Sequence, residues 1–292
     1  KPFENEPLPD DWMTEEILKN HRETKPGAHS ACEVNGYEPD YNPNTPRQTA
    51  EVRNLEEYKS MVDEYDTGIW YADKKIGEIF DKLKEQNIYE DTVIIISSDH
   101  GESLGENGSY CEHGEADAIV THIPLIVKWP GMAKNVESKG FHYNVDLLPT
   151  LIDLIGNVPP FKCNRVVGLA NPVQYDGVSF ADCIRSGKDG GREYLVVSQM
   201  AHVCQRAVRF DDWIYIRTYH DGYHLTETDE LFNVKNDPHE TVNVAEQNPE
   251  VCWKGAYLLE HWVAENMLSN IYRTSSDPLW DVIADGGPFH CR

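Results

Sequence analysis

The chain has 292 residues, 40% of them hydrophobic and 10% aromatic, enough for one large domain or two modest ones. Its 50 acidic side chains against 26 basic ones leave a formal net charge of −24, which excludes a nucleic-acid backbone as partner, because polyanion binding rests on Lys and Arg neutralising phosphates. No stretch reaches the roughly 18 apolar residues of a membrane-spanning helix, and seven cysteines without CxxC or zinc-ribbon spacing read as reduced thiols better than as a disulfide framework.

The sequence opens on Lys1-Pro2-Phe3-Glu4-Asn5, neither an initiator methionine nor a signal peptide. The native start is therefore expected elsewhere and the compartment is unread; the scattered thiols lean towards a cytoplasmic setting over a periplasmic or secreted one. Residues 1–50 carry Pro7, Pro9, Pro26, Pro39, Pro43 and Pro46 and little periodicity, which predicts an extended lead-in interrupted by a short helix at Thr14-Glu15-Glu16. From Asn54 onward Tyr58, Met61, Val62, Tyr65, Ile69, Ala72, Ile76, Ile79, Phe80 and Leu83 recur at spacings of three and four. That is the pattern of a long amphipathic helix with one buried stripe, closing at Asn87.

The β-branched run at residues 92–98 predicts a strand buried on both faces of a parallel sheet, and residues 123–129 predict a second strand. Residues 146–156 read as a capped helix, with Pro149 tolerated in the first turn and Gly156 stopping it. A helix followed by a buried strand indicates α/β winding. Further on, residues 194–198 and 208–219 predict strands, the latter turning at Asp211-Asp212. Residues 249–270 predict a final helix with Val251, Tyr257, Leu258, Trp262, Val263 and Met267 on one side. The expected organisation is an extended Pro-rich lead-in over 1–50, a doubly wound α/β part over 51–165, and a smaller α+β part over 166–292.

The chemistry concentrates at Ser97-Ser98-Asp99-His100-Gly101-Glu102. Open α/β sheets place ligands at the carboxyl ends of their strands. Here Asp99 and His100 leave the strand together, and Gly101 is expected to let the backbone turn sharply. A carboxylate offers oxygens to a hard cation and the adjacent imidazole offers a nitrogen; an ordinary polar turn at a strand end is the plain alternative. His113 and His122 flank a predicted short helix and can reach back over the strand end, where an imidazolium would stabilise an anionic oxygen or protonate a leaving group. Gln205, Arg206 and Arg209 supply polar and guanidinium groups suited to a carboxylate or sulfate. His29 and Ser30 are candidates for the pocket mouth, and Trp213, Tyr215 and Tyr219 alternate as core residues of a strand.

Ser98-Asp99-His100-Gly101-Glu102, Leu104-Gly105-Glu106, Glu112-His113-Gly114 and His122-Ile123-Pro124-Leu125-Ile126-Val127-Lys128-Trp129-Pro130-Gly131 occur in that order. Asp146-Leu147-Leu148-Pro149-Thr150 follows, then Leu231-Phe232-Asn233 and Asn236-Asp237-Pro238-His239-Glu240. Together they resemble the bacterial-type sulfatases, formylglycine-dependent members of the alkaline-phosphatase superfamily, over roughly residues 50–250. The resemblance implies an alkaline-phosphatase-like α/β sandwich, incomplete here, followed by a smaller C-terminal α+β subdomain containing an antiparallel sheet. It also implies Ca2+ held by four side chains, of which Asp99 and His100 match two, and a sulfated small molecule or saccharide as substrate. His113 falls where many members carry a lysine and is assigned a catalytic and substrate-binding role, with His122, Gln205, Arg206 and Arg209 as further substrate contacts.

The family's nucleophile, a formylglycine made within Cys/Ser-x-Pro/Ala-x-Arg, has no counterpart among the cysteines or serines of this sequence. The nucleophile, the paired N-terminal aspartates and a catalytic lysine are expected in a segment preceding Lys1, which would be this chain's partner, and the chain alone is expected to be inactive. Two other readings stand beside this one. The first is a phosphodiesterase or phosphonate monoester hydrolase of the same superfamily; the second is a non-catalytic module binding an anionic glycan. A zinc hydrolase built on His113-Gly114-Glu115 is set aside because HExxH and Pro-Cys-x-x-Cys are both absent.

Overall fold

A computed structural model describes residues 2–24 apart from Glu4, 52–156, 176–268 apart from Tyr223 and Leu225, and 277–288. It divides into two compact units built from separated stretches. Lys1–Tyr89, Ser97–Pro124 and Val196–Arg292 form the first, and Glu90–Ile96 with Leu125–Leu195 form the second.

In the first unit, helix α1 (Glu15–Thr24) begins where Thr14 Oγ1 accepts the Ile17 amide at 3.1 Å. Helix α2 (Leu55–Glu85) begins where Asn54 Oδ1 accepts the Glu57 amide at 2.9 Å; both are N-caps that satisfy otherwise orphaned donors. Met13, Leu18, Val52, Tyr58, Met61, Val62 and Tyr110 bury together as one cluster. Among the described residues the apolar stripe of α2 is fully buried over its first turns only; further on Ile69 is 54% and Ile79 59% exposed, while Ile76, Phe80 and Leu83 are half-buried. A helix of 31 residues runs about 46 Å, well past the partners that cover its start. Periodicity gave the stripe correctly and its full-length burial incorrectly.

Two short strands, β2 (Ser103–Leu104) and β3 (Tyr110–Glu112), form an antiparallel hairpin. A single helical turn, Ala118–Thr121, follows, capped by Asp117 Oδ1 on the Val120 amide at 2.8 Å. The four-stranded sheet of this unit uses Tyr194–Gln199, Cys204–Phe210, Trp213–His220 and Asp229–Asn233 in that order across the sheet. Its middle pair turns through Asp211-Asp212, with Asp211 at φ 48° and Phe210 opposite Trp213, as the sequence predicts for a two-residue hairpin loop.

Ile214, Tyr215 and Ile216 are all buried, so the strand Trp213–His220 is covered on both faces. Ala116, Ala207 and Phe232 pack with Ile214 and Ile216. On the other face, the helix Pro249–Leu268 comes so close that a Cβ on Gly255 would meet Tyr215 Cβ at 2.6 Å. Among the described side chains of that helix Gly255 and Leu259 are the buried positions, whereas Tyr257, read from sequence as inward, is 67% exposed. The close approach at a glycine sets the facing side, and apolar content alone does not report it. A further helix, Pro278–Ala284, capped by Asp277, shows that Pro249–Leu268 is not the last element.

In the second unit, β1 (Ile94–Ser97) pairs with the strand Leu125–Lys128. Ile94, Ile95 and Ile96 are half-buried and Ile126 is 61% exposed, so the expected burial on both faces is not seen. The strand has one neighbour among the described residues. The helix Leu147–Ile155 carries Pro149 in its first turn and stops at Gly156, φ 66°, as read from sequence. Asp146, fully buried, accepts the amides of Tyr143 and Val178, each at 2.7 Å, and is paired with Arg192. Cys111, Cys183, Cys204 and Cys252 are not paired in disulfides. Among the described residues, no helix is long and apolar enough to cross a membrane.

Candidate active site

Asp99 and His100 follow β1 directly, and the β2–β3 hairpin comes immediately after them. Its register pairs Ser103 with Glu112. Carried one pair outward, an antiparallel register sets Glu102 opposite His113, and His113 Nδ1 indeed lies 3.0 Å from Glu102 Oε2. The His100 ring stacks on His113 with centroids 3.8 Å apart. His100 Nδ1 is 2.7 Å from the Gly101 carbonyl oxygen; a carbonyl only accepts, so this nitrogen carries the proton and Nε2 holds the lone pair of the neutral ring.

Asp99 projects into solvent, its side chain 89% exposed, with Oδ2 3.8 Å from His100 Nε2. Its Oδ1 accepts the His100 amide at 3.1 Å. Its own backbone N–H, then that of His100, then the His100 ring hold the Asp99 carboxyl below its usual range. Gly101 corrects one detail of the sequence reading. It is not among the residues with left-handed backbone; a side chain is excluded there because a Cβ would lie 2.0 Å from the Ile119 carbonyl oxygen, where the Gly101 amide bonds Val120 O at 2.8 Å.

His100, Glu102 and His113 each offer a ligand atom within 4.8 Å of the others. Glu102, quoted in the motif but given no role by sequence reasoning, joins His100 in that group where Asp99 was expected. Ca2+ takes about six to eight oxygen ligands. The exposed Asp99 carboxylate and Glu102 are the oxygens this loop presents, so its residues fit part of such a shell. His122 is exposed and ends the single turn Ala118–Thr121, its amide bonded to Ala118 O at 2.9 Å.

Gln205, Arg206 and Arg209 are hydrogen-bonded to protein groups. Gln205 is buried, with Oε1 accepting the Ala116 amide at 3.1 Å and Nε2 donating to Thr218 Oγ1 at 3.0 Å. Arg206 closes both arms of its fork on Asp277, at 2.6 Å each, and donates from Nε to Ser198 Oγ. Arg209 donates from Nη1 to Trp213 O at 2.9 Å and to the carbonyl of Asp211. Their strand is buried at six of its seven positions, so its side chains lie in packed layers. His29 and Ser30 lie outside the described residues.

Sequence reasoning missed two further arrangements. His239 stacks on Trp12 at 4.6 Å and stands between Glu106 Oε1 and Asp10 Oδ2, 3.0 Å from each. The start of the lead-in, the hairpin turn and the Pro238-His239-Glu240 passage are thereby tied together. Nearby, Glu240 Oε1 accepts the Ala118 amide at 2.9 Å while its Oε2 is buried without a hydrogen-bond partner. Burial, then the charge of Glu115, pushes the fully buried Asp117 carboxyl up to about 7, and burial with the Asp117 charge pushes Glu240 well above its usual range.

The sulfatase family matches residues 10–157, a stretch holding Asp99, His100, Glu102, His113 and His122. The chain belongs to the sulfatase family. It is 30% identical over 195 residues to the choline-sulfatase of Rhizobium meliloti, covering 63% of this chain and 33% of that protein. The chain spans about a third of the length of the curated relatives it matches. Among solved structures, a 2-O GAG sulfatase shares the fold with a TM-score of 0.59 at 23% identity, over 77% of this chain and 48% of that one. The phosphonate monoester hydrolase of Agrobacterium radiobacter does so with a TM-score of 0.57 at 20% identity, over 85% and 49%. The fold is thus the alkaline-phosphatase-like α/β class expected from the motifs, with an antiparallel sheet in the C-terminal part.

Proposed function

We propose that the whole protein hydrolyses a sulfate ester carried on a sugar, and that this chain supplies one side of the metal and leaving-group machinery. The observation that carries the reading is the convergence of His100, Glu102 and His113 beside the exposed, ionised Asp99, inside the stretch that matches the family. Asp99 presents carboxylate oxygens, and His100, oriented through Gly101 O, presents Nε2. Ca2+ bound there would neutralise charge developing on the sulfate oxygens. Glu102 holds the Nδ1 edge of His113, which turns the opposite nitrogen towards substrate, where the protonated ring donates to the departing oxygen. The nucleophile, a formylglycine, comes in this account from a segment outside the 292 residues, since none of their cysteines or serines begins the required motif. The chain alone is then inactive.

The likeness in fold to a 2-O GAG sulfatase supports a sulfated saccharide as substrate, while the likeness to a phosphonate monoester hydrolase keeps that chemistry as the second reading. The test is a substrate panel on the full-length protein: sulfated mono- and disaccharides, choline sulfate, an aryl sulfate and a phosphonate monoester. Release of sulfate from a sugar is the expected result. Preferential turnover of the phosphonate ester would overturn the sulfatase reading in favour of the second.

A further inference from the structure

Away from the Asp99 loop, three side chains from three separate connections meet in the first unit. Glu112 ends β3, His202 lies between the strands Tyr194–Gln199 and Cys204–Phe210, and His224 lies between Trp213–His220 and Asp229–Asn233. Glu112 Oε2 is 3.3 Å from His202 Nδ1 and 3.3 Å from His224 Nε2, and one ligand atom from each of the three lies within 4.8 Å of the others. We propose that Glu112, His202 and His224 form a Zn2+ site, supported from outside by Glu115 and Ser109.

The distances favour a metal over a plain ion pair. A charge-assisted N–H to carboxylate bond closes to about 2.7–2.9 Å. A tetrahedral ion with bonds of about 2.0–2.1 Å sets its ligands about 3.3–3.4 Å apart, and both contacts to Glu112 match that edge. The outer support has the form that metal-bound histidines adopt. His224 Nδ1 is 3.0 Å from Glu115 Oε1, and Ser109 donates to the same carboxylate. A carboxylate on Nδ1 fixes the tautomer and turns the Nε2 lone pair towards the ligand position. Lone pair and carboxylate repel unless a proton or a cation lies between them.

Burial and packing add to this. Glu112, Glu115 and His224 are buried, while the His202 side chain is 24% exposed, so the described residues supply three ligands, the number that catalytic zinc sites take from protein. His202 enters because Gly114 has no side chain: a Cβ there would lie 2.6 Å from the His202 Cβ, Cγ and Nδ1. Two imidazoles and one buried carboxylate suit zinc, and among the described residues no exposed carboxylate such as Asp99 joins the group to supply the further oxygens that calcium asks for. The inference does not depend on the sulfatase reading.

The test is Zn2+ titration of the chelator-stripped 292-residue chain at neutral pH, by calorimetry or competition with a chromogenic chelator. One tightly bound Zn2+ per chain is expected, undisturbed by excess Ca2+. Replacing the half-exposed His202 (His202→Ala) or Glu112 (Glu112→Gln) should weaken binding at least 100-fold, and Glu115→Gln roughly 10–100-fold. His113→Gln, in the other histidine group, should leave binding unchanged. Circular dichroism checks that each variant is folded, and Co2+ absorption of the unaltered chain reports tetrahedral histidine ligation without any variant. No tight Zn2+ binding by the folded chain, or binding as tight in His202→Ala and Glu112→Gln as in the unaltered chain, would overturn the proposal.

Discussion

The imidazole of His113 lies face to face with that of His100, 3.8 Å between ring centroids, while its Nδ1 is anchored on Glu102 at 3.0 Å. The hairpin register creates this contact, so the ring is placed by backbone pairing as well as by its own packing. In the full-length protein His113→Ala should lower turnover of the sulfated substrate by roughly 10²–10⁴-fold. His113→Lys, which keeps a cation at this position, should retain part of the activity. Steady-state kinetics on both variants decide it: equal loss in the two would argue against an anion-facing role.

Arg206 and Asp277 form a buried two-armed ion pair, and breaking such a pair leaves an uncompensated charge. Arg206→Met should destabilise the chain by about 3–5 kcal/mol in denaturant titrations, and Arg206→Met with Asp277→Leu should recover much of that. Part stays lost, because Asp277 also caps the helix Pro278–Ala284 through the Leu279 amide. Burial raises the Asp277 carboxyl, but Arg206 more than offsets this and leaves it below its usual range. Its contribution is therefore present above the unfolded value of about 3.9 and is lost as pH falls through the lower folded value.

Asp117 works in the opposite sense. Its carboxyl titrates at about 7 in the folded chain against about 3.9 when unfolded. Between those values the folded state keeps a proton that the unfolded state has released, so stability falls as pH rises from about 4 to about 7 and then levels. Asp117→Asn keeps an acceptor for the Val120 amide and removes the titration. Denaturation across that range should show a flatter profile for the variant, with greater stability than the parent above pH 7; identical profiles would contradict the assignment.

Gly101→Ala tests whether close approach, and not turn geometry, selects glycine. A methyl group 2.0 Å from the Ile119 carbonyl oxygen must push the Asp99 loop off the turn Ala118–Thr121. Loss of thermal stability together with loss of turnover is expected. A neutral substitution would show that the two segments separate freely.

Local signals were legible in the sequence and tertiary ones were not. The helix Leu55–Glu85 and the Asp211-Asp212 turn follow from periodicity and turn chemistry within a few residues. The Asp99-His100-Gly101 motif led to the loop where His100, Glu102 and His113 lie together. Exposure at Ile69, Ile79 and Ile126 was not legible, because an apolar pattern names a face without naming what covers it. Arg206 was read as a substrate clamp because its partner, Asp277, stands 71 residues further on. Glu112, His202 and His224 carry no recognisable spacing, since three separate connections deliver them.

The account rests on Asp99 as a metal-facing carboxylate in sulfate ester hydrolysis. The most direct measurement is sulfate release by the full-length protein with and without Asp99→Ala, alongside thermal unfolding of both. Asp99 is exposed, so its removal should leave the unfolding temperature unchanged while sulfate release drops to background. Undiminished release by a folded Asp99→Ala protein would contradict the account.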